Sequence, residues 1–197
     1  MLVAMILRRL YDWTVTLAGH RRAVPTLGVV SFLESWIFPV PPDAMLVPMV
    51  IARPDRAYLA ASVCLAGSIA GGLVGYLIGA LMFEQVALPL LTMLGQAGRF
   101  DEFAERYNEQ GFLVVLMAGF TPFPYKVITI LSGSTGLSLP LFLLSSLAGR
   151  GVRFFLIAML LRRYGDGLRM FIERRLGLVT VLAGLALVAL GVILGAG

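Results

Sequence analysis

Long apolar stretches with few charges constrain this chain more than any other feature of its sequence. Charged residues divide it into four such stretches, at 23–52, 57–83, 111–161 and 176–197. A helix needs about 20 residues to cross roughly 30 Å of hydrocarbon, so these lengths are typical of membrane spans. The composition agrees, because 59% of the 197 residues are hydrophobic and 14% are charged, against about 45–50% and about 25% in soluble domains. The sequence therefore predicts an integral membrane protein and excludes a soluble enzyme or a disulfide-stapled secreted module.

The remaining composition excludes several other classes of protein. The sequence pI is about 9.9, yet the basic residues stand beside apolar stretches as they do in membrane proteins, so no nucleic-acid partner is predicted. Cys64 is the one cysteine and His20 the one histidine, which leaves neither an intramolecular disulfide nor a histidine-based metal site. No Ser-His-Asp, Cys-His or phosphate-loop pattern is present. We expect a protein without enzymatic activity, cofactor or metal.

Prolines interrupt two of the apolar stretches. A Pro-x-Pro pair removes two backbone N–H donors and disfavours the helical conformation of the preceding residues, so each pair predicts a true break in a helix. The interrupting residues are Pro39, Pro41 and Pro42 in the first stretch and Pro122 and Pro124 in the third. The arms on either side of each break are too short to cross the bilayer twice. We therefore predict two re-entrant hairpins, at about 23–52 and 111–137, whose broken backbone is buried in protein or lines a wet cavity.

The arginine distribution sets the expected topology. If both hairpins re-enter, the loops 1–22, 53–56 and 162–175 lie on one side with eleven arginines, and the loop 84–110 lies opposite with two. Since cytoplasmic loops carry the excess of Lys and Arg, we place the N-terminus in the cytoplasm and the C-terminus outside. The predicted fold is a single all-α membrane domain over 1–197, with a core at 23–161 and a basic loop and C-terminal helix at 162–197. Its spanning helices are expected at about 57–83, 138–161 and 176–197, and its interfacial helices at 1–22 and 84–110.

The two proline motifs also align with each other. Each has Pro at its first and third positions and an ionisable residue at its fifth, Asp43 in the first motif and Lys126 in the second. By the topology above, the two hairpins enter from opposite faces, and each precedes a spanning helix. Broken hairpins of opposite orientation that meet near the midplane are typical of inverted-repeat transporters. The sequence thus predicts an inverted-repeat helical bundle with a substrate site between the breaks.

The candidate site consists of the five ionisable residues within the apolar stretches: Glu34, Asp43, Lys126, Arg150 and Arg153. A charge at bilayer depth costs at least about 2.5–3.5 kcal/mol, so each is a functional candidate. Burial favours the neutral form of a carboxyl group, so we assign the two acids to proton transfer and gating. The three bases outnumber the acids by one, which suits binding of an anionic substrate. The alternative is that these charges form structural ion pairs that hold the hairpins together.

Glycines recur at every fourth position of the second stretch, at Gly67, Gly71, Gly75 and Gly79. Such a repeat gives a helix one smooth face, against which another helix backbone packs closely. We expect this face to pack against a hairpin of the same protomer. A homodimer interface is the alternative.

Three segments carry a resemblance to a known family: Phe32 to Asp43, Gly75 to Gly79, and Gly119 to Lys126. Together they resemble the DedA family, also called VTT or SNARE-associated domain proteins, and its small bacterial YqaA-like branch in particular. The resemblance implies an integral protein of the bacterial cytoplasmic membrane with two opposed re-entrant hairpins. It also implies proton-dependent transport, a part in membrane homeostasis, and in some members movement of undecaprenyl phosphate or phospholipids. Glu34 and Asp43 match family acids on either side of the first motif.

The second motif departs from the family pattern, in which many members carry two arginines around Phe-x-Pro. Gly119 stands at the place of the first arginine, and Lys126 replaces the second within one residue. Arg150 and Arg153, on the next helix, are candidates to supply the missing charge. We expect a proton-coupled transporter or flippase of an anionic lipid headgroup, a polyprenyl phosphate or a phospholipid, with membrane lipids and protons as its partners. The alternatives are a small-cation/proton antiporter and a membrane scaffold that transports nothing.

Overall fold

The computed structural model describes residues 23–83, 85, 88–93, 97–121 and 123–165. Three predicted features lie outside these ranges: the interfacial helix at 1–22, the spanning helix at 176–197, and Pro122 of the second motif. Within the described ranges the chain is all helical and has no strand, as the sequence predicts. Its α-helices, in chain order, are α1 (Ala23–Glu34), α2 (Asp43–Ala52), α3 (Ala57–Met82), α4 (Leu88–Met93), α5 (Ala97–Glu109), α6 (Gly111–Phe120), α7 (Tyr125–Ser134) and α8 (Leu139–Tyr164).

Two of these helices are long and apolar enough to cross a membrane. A short 3-10 helix leads into α3, and the combined segment Pro54–Met82 has 29 residues, while α8 has 26. At about 1.5 Å per residue, 26 helical residues extend about 39 Å, which exceeds the hydrocarbon thickness. The two helices correspond to the predicted spans at 57–83 and 138–161. α8 continues past its predicted end, so Arg162 and Arg163 lie in its last turn rather than in a loop.

The first proline motif separates α1 from α2. α1 ends at Glu34, and α2 begins at Asp43, directly after Pro42. The N–H of Phe38 bonds to the carbonyl of Leu33 at 2.8 Å and closes the end of α1. The prolines that follow cannot donate to a continuing helix. The break therefore has an acid at each side, one at the last position of α1 and one at the first position of α2.

The second proline motif separates α6 from α7. α6 ends at Phe120, and the next residue, Thr121, is extended with φ −82° and ψ 163°. Pro124 precedes α7 with φ −61°. After α7 the chain turns at Gly136, whose φ of 68° is a conformation that glycine adopts without strain. α6 and α7 have 10 residues each, or about 15 Å of helix, which is half the thickness of the hydrocarbon.

The glycine face of α3 packs against two other helices of the same chain. Gly67 and Gly71 lie against α1, and Gly75 and Gly79 lie against α7. At each of the four positions a Cβ would collide with an atom of the facing helix, so the close approach depends on glycine. The first broken segment thus occupies one half of the face, and the second broken segment occupies the other half.

Buried hydroxyl groups join the two broken segments to each other and to α3. The Thr129 hydroxyl of α7 donates to the carbonyl of Ser35 at 3.0 Å, and the Ser35 and Ser68 hydroxyl oxygens are 3.1 Å apart. One turn earlier, the Ser31 hydroxyl donates to the Cys64 carbonyl at 2.6 Å. α8 packs against α2, α3 and α6. The two breaks therefore lie close together, with α8 beside both.

α5 is attached to the end of α7 by side-chain hydrogen bonds. The Tyr107 and Ser132 hydroxyl oxygens are 2.9 Å apart, and the Asn108 amide donates to the Thr135 carbonyl at 2.7 Å. Burial raises the pKa of the Tyr107 hydroxyl, and its bond to Ser132 acts in the opposite direction. α5 lies within the predicted interfacial segment 84–110, and its placement at a membrane surface stays a prediction.

Candidate functional site at the two helix breaks

Two arginines on one face of α8 meet the two acids of the first break. Arg150 and Arg153 are three residues apart, so their side chains leave the helix on the same side. Arg150 pairs with Glu34, and Arg153 pairs with Asp43. Four of the five residues that the sequence singles out therefore come together as two ion pairs.

The pair between Glu34 and Arg150 is deeply buried. The Arg150 Nη2 lies 2.7 Å from the Glu34 Oε2, and the two residues are 4% and 8% exposed. The guanidinium carbon lies 4.2 Å from the centre of the Tyr125 ring and 5.1 Å from that of Phe154, so aromatic faces flank the charge. Cation–π contacts strengthen where water is excluded. Breaking such a pair on one side leaves an uncompensated buried charge, which costs about 3–5 kcal/mol.

The second pair connects the two breaks. Arg153 donates from Nη2 to the carboxylate of Asp43, and from Nη1 to the carbonyl of Thr121, the first residue after α6. One guanidinium group thus holds the start of α2 and the end of α6 together. The other carboxylate oxygen of Asp43, Oδ1, is buried and has no hydrogen-bond partner. The carboxylate also lies in the first turn of α2, where the helix dipole favours a negative charge.

Lys126 stands apart from these pairs. It is half-buried in the first turn of α7, and within the described part of the chain it makes no salt bridge. A positive charge near a helix N-terminus is unfavourable for the helix dipole, since both are positive there. Among the residues that the structure describes, the site therefore contains two ion pairs and one positive charge, that of Lys126, without a salt bridge.

Gly119 of α6 lies close against α8 at Arg150. A Cβ at Gly119 would lie 3.2 Å from both the Cγ and the backbone nitrogen of Arg150, closer than ordinary contact. A side chain at position 119 would therefore require the neighbouring atoms of α8 to shift by a few tenths of an ångström. The absence of a side chain brings α6 up to α8, and Arg150 enters the space between the helices.

Sequence reasoning missed two residues of the site. Tyr125 faces Arg150 with its ring, and Thr121 provides a carbonyl to Arg153. Both stand inside the second proline motif, next to residues that were singled out. Tyr125 carried the available signal, because a polar aromatic residue directly before an ionisable one in a helix break differs from ordinary apolar filling. Thr121 acts through its backbone, which no side-chain pattern reveals.

The described ranges hold no group of three or more His, Cys, Asp and Glu residues that would bind a metal ion. The residues that converge at the breaks are arginines, carboxylates and aromatic rings. Arginine has five N–H donors in a planar fork, which suits carboxylate and phosphate oxygens. The arginine forks of this site bind the carboxylates of Glu34 and Asp43.

Two helices long and apolar enough to cross a membrane, two proline-broken segments and buried charges between them fit an all-helical membrane protein. The family model for the VTT domain matches residues 40–163, more than half of the chain. The protein therefore belongs to the VTT-domain, or DedA, family of membrane proteins.

Two relatives extend the match beyond the domain. A Haemophilus influenzae protein is 36% identical over 151 residues, which cover 77% of this chain and 78% of the relative. A Histophilus somni protein is 36% identical over 168 residues, covering 83% and 87% of the two chains. Both relatives are named as uncharacterized proteins. No solved structure matches the chain significantly.

Proposed function

We propose that this protein moves an anionic lipid headgroup, a polyprenyl phosphate or a phospholipid, across the membrane in a step coupled to protons. The observation that supports the proposal most is the pairing of two adjacent α8 arginines with the two acids of the first break. Arginine binds phosphate with the same forked geometry that it uses for carboxylate. A headgroup phosphate is thus a chemically equivalent replacement for the carboxylates of Glu34 and Asp43.

Protonation supplies the coupled step. A neutral carboxyl group no longer compensates an arginine, so protonation of Glu34 or Asp43 releases Arg150 or Arg153 to the phosphate. Return of the proton to solution restores the ion pair and expels the anion. The buried charge stays balanced in both states, which matters because an unpaired buried charge is costly. In this scheme proton uptake and headgroup binding are coupled through the same two arginines.

Lys126 and the start of α7 extend the anion site. The first backbone N–H groups of a helix have no partner within the helix, and they attract anions. Lys126 adds a positive charge at the same end of α7, where no carboxylate of the described residues pairs with it. We assign to Lys126 the first contact with an incoming headgroup, before the arginines are released.

The same proposal places the broken segments as opposed re-entrant hairpins of a bacterial inner membrane protein, related as an inverted repeat. Helices of 12, 10, 10 and 10 residues flank the two breaks. Each is about half the length of a crossing. The N-terminus would lie in the cytoplasm and the C-terminus outside, as the arginine distribution predicts.

Transport by the purified protein in liposomes tests this function. The lipids would be a polyprenyl phosphate and, separately, a labelled phosphatidylglycerol, each with and without a pH gradient. We expect the wild-type rate to depend on the pH gradient. The rate should fall in the acid variants Glu34→Gln and Asp43→Asn. It should also fall in the arginine variants Arg150→Gln and Arg153→Gln. Glu102→Gln and Arg106→Gln, which remove an exposed ion pair of α5, are the matched controls and should transport normally.

The pattern across these variants separates the alternatives. If the transport rate falls only in the acid variants, and the gradient drives a flux of cations, the protein is a small-cation/proton antiporter instead. Normal transport in all four variants would exclude the ion pairs from the transport mechanism, and heavy loss of folded protein in them would favour structural ion pairs. No transport by the wild-type protein would favour a scaffold.

A further inference from the structure

Tyr125 lies at the centre of the site and is almost completely buried. It is the first residue of α7 and is 1% exposed. One face of its ring contacts the Arg150 guanidinium group, and it stacks with Phe142 at 6.5 Å and an interplanar angle of 10°. Its far end reaches α3 at Gly72, where a Cβ would lie 3.1 Å from the hydroxyl oxygen. The tyrosine thus contacts α3 and α8 at once.

The ring accounts for these contacts, but the hydroxyl group does not. Stacking on Phe142 and the contact with Arg150 need an aromatic face, which phenylalanine would provide equally, as Phe154 does on another side of Arg150. The Tyr125 hydroxyl is buried and makes no hydrogen bond. An unpartnered buried hydroxyl destabilises the fold relative to an apolar group of the same shape. In this structure Glu34 is bonded to Arg150, and we call this the closed arrangement. Phenylalanine at position 125 would make the protein more stable in the closed arrangement than tyrosine does.

Two more buried polar atoms without a hydrogen-bond partner lie on α8, the helix that contacts the Tyr125 ring. They are the Ser146 Oγ and the Arg150 Nε, both on α8 one turn apart. Ser146 lies beside the Tyr125 hydroxyl, but the two groups do not have the geometry of a hydrogen bond. The Arg150 Nε–H only donates, and the two hydroxyl groups are able to donate. Two hydroxyl groups and one N–H group, from two helices, are therefore buried without a hydrogen-bond partner.

We propose that Tyr125, Ser146 and the Nε of Arg150 form a hydrogen-bond donor set for an oxygen of the substrate's phosphate group. The inference rests on the proposed function and names residues of its binding site that the charge pattern does not reveal. In the closed arrangement Glu34 holds the Nη2 side of Arg150. When Glu34 is protonated, the phosphate takes that side and the donor set receives a second oxygen. The hydroxyl of Tyr125 thus stabilises the state with bound phosphate and destabilises the closed arrangement.

Tyr125→Phe tests this assignment because stability and transport should change in opposite directions. We expect its thermal midpoint in detergent to equal or exceed that of the wild-type protein. Its initial rate of transport, with polyprenyl phosphate or phosphatidylglycerol liposomes, should fall by about tenfold or more, as expected for loss of a hydrogen bond to a charged group. Ser146→Ala should show the same pattern with a smaller loss. The two lipids distinguish a site for phosphate esters in general from one that selects a polyprenyl chain.

Tyr107→Phe is the matched control. Its hydroxyl has a partner, Ser132, at 2.9 Å, and it lies outside the site. This variant should have a lower thermal midpoint and an unchanged rate per folded molecule, the reverse of Tyr125→Phe.

If the wild-type protein transports the lipid and both Tyr125→Phe and Ser146→Ala do so at the same rate, the donor set is wrong. The proposed function would still stand. A lower thermal midpoint in Tyr125→Phe would also overturn it, since the hydroxyl would then have a partner in the closed state. Absence of transport by the wild-type protein would overturn the proposed function, and the donor set with it.

Discussion

The Nη2 of Arg150 lies 2.7 Å from the Oε2 of Glu34, a residue 116 positions earlier in the chain. This bond connects α8 to the last residue of α1. It is buried, flanked by aromatic rings, and accompanied one turn later by the bond between Arg153 and Asp43. Four separate helices thus depend on two arginines for their arrangement.

Removal of one partner from the buried pair should destabilise the protein strongly. Arg150→Met leaves Glu34 without compensation, and we expect a loss of about 3–5 kcal/mol in the free energy of unfolding. The double variant Glu34→Leu with Arg150→Met removes both charges and should recover most of that loss, while remaining inactive in transport. Chemical denaturation of the purified protein in detergent measures all three values. Additive losses in the double variant would show that the two side chains do not interact.

The two arginines should differ from Lys126 in their tolerance of a conservative change. Arg153 donates to Asp43 and to the Thr121 carbonyl at once, and Arg150 binds between two rings, so a lysine point charge replaces neither. We expect Arg150→Lys and Arg153→Lys to lose transport by about tenfold or more, and Lys126→Arg to retain part of it. Rates in liposomes at equal protein content provide the comparison. Full activity in both lysine variants would remove the arginine fork from the mechanism.

Glycine substitutions should separate close packing from helix propensity. A Cβ at Gly71 would collide with the Phe32 carbonyl of α1, whereas a Cβ at Gly98, exposed on α5, meets no atom within 4 Å. We expect Gly71→Ala to lower the free energy of unfolding by about 1–3 kcal/mol. Gly98→Ala should raise it by about 0.5–1 kcal/mol, because alanine favours the helix. Equal effects of the two changes, measured by thermal unfolding in detergent, would contradict the packing of α1 on α3.

Accessibility of single cysteines should report the topology. We expect cysteines at Arg9 and Arg53 to react with an impermeant maleimide only after the cells are permeabilised. A cysteine at Glu105 should react in intact cells. Cys64 is buried and provides an unreactive background. Labelling of positions 9 and 53 from opposite sides would mean that 23–52 crosses the membrane once, and it would exclude the first re-entrant hairpin.

Much of the fold follows from local features of the sequence, and much of the site does not. The helix breaks are predictable because proline acts on its immediate neighbours, as at Pro42 and Pro124. The candidate charges are predictable because few other ionisable residues stand in apolar surroundings. Which acid pairs with which arginine depends on how α8 packs against α1 and α2, and no periodicity of either segment specifies that register. The sequence predicts Glu34 and Arg150 each as a site residue, but it does not predict that the two form an ion pair with each other.

Tyr125 shows a second limit of sequence reasoning. Its place directly before Lys126 in a helix break sets it apart from ordinary core residues, but its contact with Arg150 depends on how α8 packs against α7. The glycine face of α3 is predictable from the sequence, because glycine at every fourth position indicates close packing by itself. The identity of the facing helices, α1 for Gly71 and α7 for Gly79, came from the structure.

The distance along the chain between Glu34 and Arg150 has a consequence for biosynthesis. At about 5–20 residues per second, Arg150 is synthesised roughly 6–23 s after Glu34. During that interval both acids of the first break lack the arginines that compensate them in the finished protein. We therefore expect 23–52 to remain near the membrane surface, or to hold its acids protonated, until α8 has been inserted. The order of membrane insertion would then differ from the order of synthesis, with the segment 23–52 reaching its final depth after α8.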